Sequence, residues 1–252
     1  MQRARRLNEI VGRVAKSGAV QVADLAAALE VSEPTIRRDL AYLERQQLVQ
    51  RTHGGARAHD AFNDLPLGLK TAQDLQEKRR IARRAMALLD DARVVGMTGG
   101  TTMIEFARAY RETGTASVVT NALSVANELV TNPAIRVYLA GGEVRPSSHE
   151  TVGRAAEALV ATYNIDVAVV GVDGVDAEVG ATGYDPAGAA VNSTMTQQAQ
   201  RTIVLADASK LGRIALARIC PISDVDVVVT DSRAHPNELE RLRSAGCHVI
   251  AV

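Results

Sequence analysis

The chain has 252 residues, with 29 Lys and Arg against 29 Asp and Glu, and is 46% apolar but only 3% aromatic. That length accommodates two domains, or one small module beside a larger, well-buried one, and the composition excludes a disordered or fibrous chain. No run approaches the length of a membrane span, and the basic, amphipathic start MQRARRLNEIVGRV lacks the apolar core of a secretion signal, so a cytoplasmic location without membrane partners is expected.

The charge is unevenly divided. Residues 1–58 hold ten Lys and Arg against six Asp and Glu, whereas the remainder holds 19 against 23. A modestly basic front on an acidic body suits a module that neutralises phosphate joined to one that does not. Cys220 and Cys247 lack metal-ligand spacing and a histidine partner, and read as reduced, small apolar residues. No metal or cofactor is expected.

The first helix is predicted over about residues 2–16, with Leu7, Ile10, Val11 and Val14 on one stripe and Ser17-Gly18 closing it. Arg3, Arg5 and Arg6 lie outside that stripe, where they either touch phosphate or solubilise the terminus. A second helix follows from the spacing of Val22, Leu25, Ala26 and Leu29. After Glu30-Val31 a third is announced by Ser32 as N-cap with Pro34 in its first turn. Two short helices joined this tightly suggest a helix-turn-helix. Ile36, Leu40 and Leu43 point one face of the third helix inward. Ser32, Pro34, Thr35, Arg38 and Tyr42, flanked by Arg37, are then left for the outside, and guanidinium forks and hydroxyls are what a major-groove helix needs.

Residues 48–57, LVQRTHGGAR, read as a strand running into a double-glycine turn, the wing of a winged helix. It would bring Arg51, Thr52, His53 and Arg57 to the DNA backbone or minor groove. An ordinary amphipathic helix with two solvated arginines is the competing reading. Tight turn, capped proline start, arginine pair and basic glycine wing, all in order, favour DNA.

The stretch VSEPTIRRDLAYLERQQLVQRTHGGA closely resembles the N-terminal signature of the DeoR family of bacterial transcriptional regulators. The boundaries expected are a winged helix-turn-helix over 1–58, a linker over 59–74 marked by Pro66 and Gly68, and an effector domain over 75–252. Beyond the linker a helix is expected with Leu75, Ile81, Ala82, Ala85 and Leu88-Leu89 buried and the cluster Glu77-Lys78-Arg79-Arg80 on a solvated face.

From residue 92 onward, strands are predicted near 93–97, 117–120, 135–140, 166–171, 202–206, 225–229 and 247–251, separated by helical stretches. Such runs indicate an α/β fold, a doubly wound and mostly parallel sheet covered on both faces, with ligands bound beyond the carboxyl ends of its strands. The loops there are polar. Thr98-Gly99-Gly100-Thr101-Thr102 opens a helix and suits an anion such as phosphate, because glycines admit close approach while amides and hydroxyls donate. Thr120-Asn121, Gly141-Gly142-Glu143, Asp173-Gly174 and Asp207-Ala208-Ser209-Lys210 would gather on the same edge.

The segments GGTTM, VVTNALSVANEL, GGEVRPSS, VGVDGVDAEVGATGYD, VLADASKLGR and VVVTD are similar to the DeoR family too. The resemblance implies a sensor domain related to sugar-phosphate isomerases that binds a phosphorylated sugar or polyol and thereby alters operator affinity, commonly to repress carbohydrate operons. By position, Gly100, Thr101 and Thr102 would hold the phosphate, and Asn121, Glu143, Asp173 and Lys210 would line the rest. The chain departs from the family where members often carry aspartate in place of Thr98 and threonine in place of Met103, and in the carboxylate-poor Tyr184–Gly188 segment. An isomerase-like enzyme, with Asp173, Asp207 and Lys210 supplying a general base and a cation for an enediolate, is the alternative to a sensor, and an architectural DNA protein without a ligand is a third reading that the clustered loops argue against. One winged helix offers few base contacts, so a homodimer or homotetramer on double-stranded operator DNA is expected.

Overall fold

A computed structural model describes residues 3–45, 49–57, 67 and 74–252, with the side chains of residues 4, 5, 8, 15 and 16 left aside. The chain divides into two compact units, residues 1–70 and 71–252. The expected linker over 59–74 lies outside the described residues except at Leu67 and Asp74, as do Leu48 and the side chain of Arg5.

In the first unit, helix α1 (Arg3–Ser17) ends at Gly18, whose φ of 73° is the left-handed value a glycine adopts without steric cost. A three-residue strand, β1 (Ala19–Gln21), leads into α2 (Val22–Leu29) and, past Glu30 at φ 53°, into α3 (Glu33–Arg45). Strands β2 (Gln50–Arg51) and β3 (Gly55–Arg57) close the unit as an antiparallel sheet in the order β1-β3-β2. β1 was not anticipated, because three residues are too few to show alternation. The core is Ile10, Val11, Val14, Leu25, Leu29, Ile36, Leu40, Leu43, Val49 and Ala56, one face from each helix and one from the sheet.

Arg6 corrects the expectation that the N-terminal arginines serve phosphate or solubility. Its Nε donates to Asp39 at 2.6 Å, and the Asp39 side chain is only 3% exposed. Asp39 sits on the inward face of α3 between Ile36 and Leu43, a carboxylate that needs a cation to be tolerated there.

The second unit begins with α4 (Leu75–Met86) and contains β4 (Val94–Met97), α5 (Thr101–Thr113), β5 (Ser117–Thr120), α6 (Leu123–Leu129), β6 (Val137–Leu139), a hairpin of β7 (Glu143–Arg145) and β8 (Glu150–Val152), α7 (Arg154–Val160) and β9 (Ile165–Gly171). It continues through β10 (Gly174–Asp176), β11 (Gly180–Gly183), α8 (Pro186–Gln197), β12 (Ala199–Leu205), β13 (Ala217–Cys220), β14 (Val227–Thr230), α9 (Pro236–Ser244) and β15 (His248–Ala251).

The seven strands read from the sequence form one sheet, ordered β15-β14-β12-β9-β4-β5-β6 and parallel throughout. Their continuous apolar character has a direct cause. Val167, Val169, Ile203, Leu205, Val227 and Val229 face one core with residues of α4, α5 and α6, while the alternate Ala168, Val170, Val204 and Val228 face another with residues of α7, α8 and α9. A strand buried on both faces has no polar side to show. The hairpin and the small β10-β11-β13 sheet were not anticipated. Lys78, read as part of a solvated cluster, is buried at 4% exposure.

Candidate functional site

Two groups of residues separate from the packing scaffold, one in each unit. On α3 the inward positions leave Pro34, Arg37 and Arg38 exposed and Thr35 half-buried. Ser32 precedes the helix: its carbonyl accepts from the Thr35 and Ile36 amides, and its hydroxyl lies 2.9 Å from that of Thr35. Arg37 pairs with Glu33 one turn earlier at 2.9 Å. Arg38 meets no carboxylate among the described residues, so its fork faces water. Tyr42 stands apart from these: it packs on the core, and the Arg3 guanidinium lies 4.8 Å above its ring.

The wing follows the sequence reading. Thr52, His53 and Gly54 form the turn between β2 and β3, and Arg51, Thr52, His53 and Arg57 are all exposed. Arg57 donates to Gln50 at 2.8 Å across the two strands, and Arg51 lies 3.8 Å from Glu44 at the end of α3, which ties the wing to the helix. A ridge of exposed cations beside a helix with a free guanidinium suits phosphate and base-edge contacts.

In the second unit the strand order reverses between β4 and β9: from β4 the chain proceeds outward to β5 and β6, then returns to β9 on the other side. Ligands of doubly wound sheets bind in the crevice at such a switch point. The turn after β4 and the turn after β9 flank it, and they are stitched together: the Gly171 amide donates to the Thr98 hydroxyl at 2.9 Å, and the Thr98 amide to the Val169 carbonyl at 3.3 Å. Thr98 is fully buried, so its hydroxyl serves the scaffold. Gly99, Gly100, Thr101 and Thr102 follow, with Gly100 at φ 119° as the N-cap of α5 and no side chain capping the helix. The amides at that end are oriented for an anion.

Around this turn stand groups from four other strand ends. Asn121 is fully buried, its Nδ2 donating to the Thr151 carbonyl at 3.4 Å while its Oδ1 has no hydrogen-bond partner. Asp173 accepts from the Tyr184 amide at 3.1 Å and lies 3.9 Å from the Lys210 ammonium. Lys210 belongs to a short helical turn capped by Asp207, whose carboxylate takes the Ser209 amide at 3.0 Å. The Ala208 amide donates to Asp231 at 2.8 Å, and Arg233 grips Asp231 at 2.7 Å and Asp74 at 2.7 Å. Burial pushes the Asp231 carboxyl up, but the Arg233 guanidinium and the Ala208 and Arg233 amides outweigh it and hold it below the usual carboxylate range.

Glu143 is exposed on β7, and the carboxylate the hairpin brings to the turn is Glu150 instead. Glu150 Oε1 accepts from the Gly99 amide at 3.0 Å, and the carboxyl lies so close over Gly99 that a Cβ there would fall 2.6 Å from it. Burial raises the Glu150 pKa, the Ser148, Gly99 and Arg145 groups oppose that rise, and Asp173 adds to it. Arg145 on β7 pairs with Asp185 at 3.3 Å, and Arg213 lies 5.3 Å from the Tyr184 ring. None of Glu150, Arg145 or Arg213 was singled out from the sequence; the short runs EVR and ETV around Pro146–His149 were the only trace of the hairpin that delivers Arg145 and Glu150, and Arg213 comes from the loop before β13.

Both cysteines are buried, and burial raises both thiols, that of Cys220 to about 11, the opposite of the lowered value of a reactive thiol. Among the described residues no helix is long and apolar enough to cross a membrane, and no three His, Cys, Asp or Glu side chains stand together to hold a metal ion.

Residues 6–62 match the DeoR-like helix-turn-helix domain and residues 73–232 the DeoR C terminal sensor domain. The chain is 34% identical to a putative aga operon transcriptional repressor of Escherichia coli, over 98% of this chain and 93% of that one. It is 31% identical to the glycerol-3-phosphate regulon repressor of Escherichia coli, over 92% of both chains. To the lactose phosphotransferase system repressor of Staphylococcus epidermidis it is 30% identical, over 96% of this chain and 95% of the other. These relatives are regulators and not enzymes. Among solved structures a D-ribose-5-phosphate isomerase in complex with phospho-erythronic acid is similar at 20% identity and a TM-score of 0.41, covering 54% of this chain and 53% of that one, a likeness too distant to bear on function. Matched in both units and along almost its whole length, the chain belongs to the DeoR family of transcriptional regulators.

Proposed function

We propose that the chain represses an operon for carbohydrate uptake or catabolism, and that a phosphorylated sugar or polyol bound at the sheet edge controls its affinity for the operator. The observation that carries this reading is the position of the Gly99–Thr102 turn at the strand-order reversal, where no side chain caps α5, in a chain whose other unit presents Arg38 and a basic wing to solvent. Gly100, Thr101 and Thr102 take the phosphate, while the unsatisfied Asn121 Oδ1, Asp173 and Lys210 receive the hydroxyls of the ligand. Ser32, Pro34, Thr35, Arg37 and Arg38 read or position the major groove, and Arg51, Thr52, His53 and Arg57 hold the backbone. Tyr42, under Arg3, shapes the helix for that task. The names of the relatives, which concern aga, glycerol-3-phosphate and lactose systems, support a carbohydrate operon without choosing the sugar.

Two such heads on adjacent half-sites make at least a dimer, and residues 59–74 are the linker that carries each head. The control is reciprocal: a ligand that favours a sensor state incompatible with paired heads weakens DNA by the factor by which DNA weakens the ligand. The test is a panel of sugar and polyol phosphates added to the purified chain, following thermal stabilisation, release of a labelled operator and any product together. Stabilisation and release without turnover support the reading, and turnover without release overturns it.

A further inference from the structure

The buried carboxyl of Glu150 has no role in the scaffold comparable to Asp39 or Asp231, each of which is held by an arginine at 2.6–2.7 Å. It accepts from the Gly99 amide at 3.0 Å, at the mouth of the turn proposed to take the effector phosphate, with the Ser148 hydroxyl and the Arg145 guanidinium as its other favourable neighbours. An anion seated on the first amides of α5 therefore comes to rest beside this buried carboxylate. Two negative charges so placed repel strongly, and a shared proton removes the conflict.

Resting on the effector reading above, we propose that Glu150 binds a proton together with the effector anion and, as a neutral acid, donates a hydrogen bond to it. The carboxylate takes that proton from solvent as the anion enters, and one O–H bond forms on Glu150 for each anion bound. Its surroundings fit this role. The charged groups facing it are Arg145 on its own hairpin and Asp173 beyond β9, one of each sign, with the Ser148 hydroxyl beside them. Arg145 is also paired with Asp185, so the cation that faces Glu150 is shared with another carboxylate. Burial already disfavours the charged form, so taking up a proton on anion binding runs in the direction the surroundings favour. The site is thereby selective for tetrahedral oxyanions that can accept from a carboxylic acid, and its affinity falls as pH rises.

Calorimetric titration of the full chain with sodium sulfate and with inorganic phosphate, each in two buffers of different ionisation enthalpy, counts the protons taken up per anion. Sulfate does not titrate near neutrality, so uptake on sulfate binding belongs to the protein. The expected result is uptake of up to one proton at pH 7 and an affinity that weakens by as much as tenfold per pH unit above the apo pKa of Glu150. In Glu150→Gln, whose amide donates without titrating, anions bind with the pH slope removed, and a melting curve verifies that this variant is folded. Binding with no proton uptake in the unmodified chain, or with the same uptake in Glu150→Gln, overturns the role of Glu150 and leaves the anion turn standing. Failure of both anions and of every sugar phosphate to bind the folded chain overturns the turn itself and the proton with it.

Discussion

Arg38→Ala separates DNA reading from every other role of α3. The Arg38 side chain is exposed and meets no carboxylate among the described residues, while the neighbouring Arg37 is held by Glu33 at 2.9 Å. Truncation therefore takes nothing from the core of Ile36, Leu40 and Leu43, and Arg and Ala are close in helix propensity, so stability should stay within about 0.5 kcal/mol. A bidentate contact to a base edge is worth about 1–3 kcal/mol, which is a loss of roughly 5- to 150-fold in affinity per half-site. In a symmetric dimer the loss counts at both half-sites. Anisotropy titrations of labelled operator and of a scrambled duplex, at several salt concentrations, distinguish the contact types. A base contact lowers specific affinity and leaves the salt slope alone, whereas a phosphate contact weakens both duplexes and reduces the slope by about 1. Unchanged binding to both duplexes at every salt concentration would refute the orientation of this helix.

Other perturbations probe the parts that support these sites. Arg6→Ala strands the nearly buried Asp39, with Arg3 only 3.6 Å away as a partial substitute, and should cost roughly 3 kcal/mol in denaturant unfolding of the DNA-binding unit. Thr101→Val should abolish release of operator by sugar phosphates while leaving operator affinity within twofold, about 0.4 kcal/mol, as read by the same anisotropy assay. Because Asp231 has its folded pKa depressed, its stabilisation is present above the unfolded pKa and is lost as pH falls through the folded one. The urea midpoint gap between the unmodified chain and Arg233→Met should accordingly be full at neutral pH and narrow below about pH 4.

How much of this was legible in the sequence depended on how far apart the interacting residues lie. The strands of the parallel sheet announced themselves because both faces are buried, so VVGM, the Val118-Val119 pair and the run VAVVG carry apolar residues at consecutive positions. α3 was legible because Ile36, Leu40 and Leu43 repeat at one helical face. The turn proposed for the effector was legible as a glycine and threonine run, but its neighbours were not: Glu150 reaches Gly99 across 51 positions of sequence, and Gly171 reaches Thr98 across 73. Nothing local marks such a pairing. The three-residue strands of the hairpin carry too little periodicity to register, which is why Glu143, beside the conspicuous Gly141-Gly142, stood in for Glu150. Arg6 escaped for a similar reason, since a surface-looking arginine becomes structural only when a carboxylate 33 positions away is buried.

The central claim is an energetic coupling between a DNA-reading head and an anion-accepting sheet edge, and linkage makes it measurable from both directions. The affinity of one sugar phosphate should be determined for the free protein and for the protein saturated with operator, alongside operator affinity with and without that ligand. The account predicts that the two ratios are equal and above about 5, a coupling of at least 1 kcal/mol. A ligand that binds the sensor tightly but has the same affinity in the presence and absence of operator would contradict it.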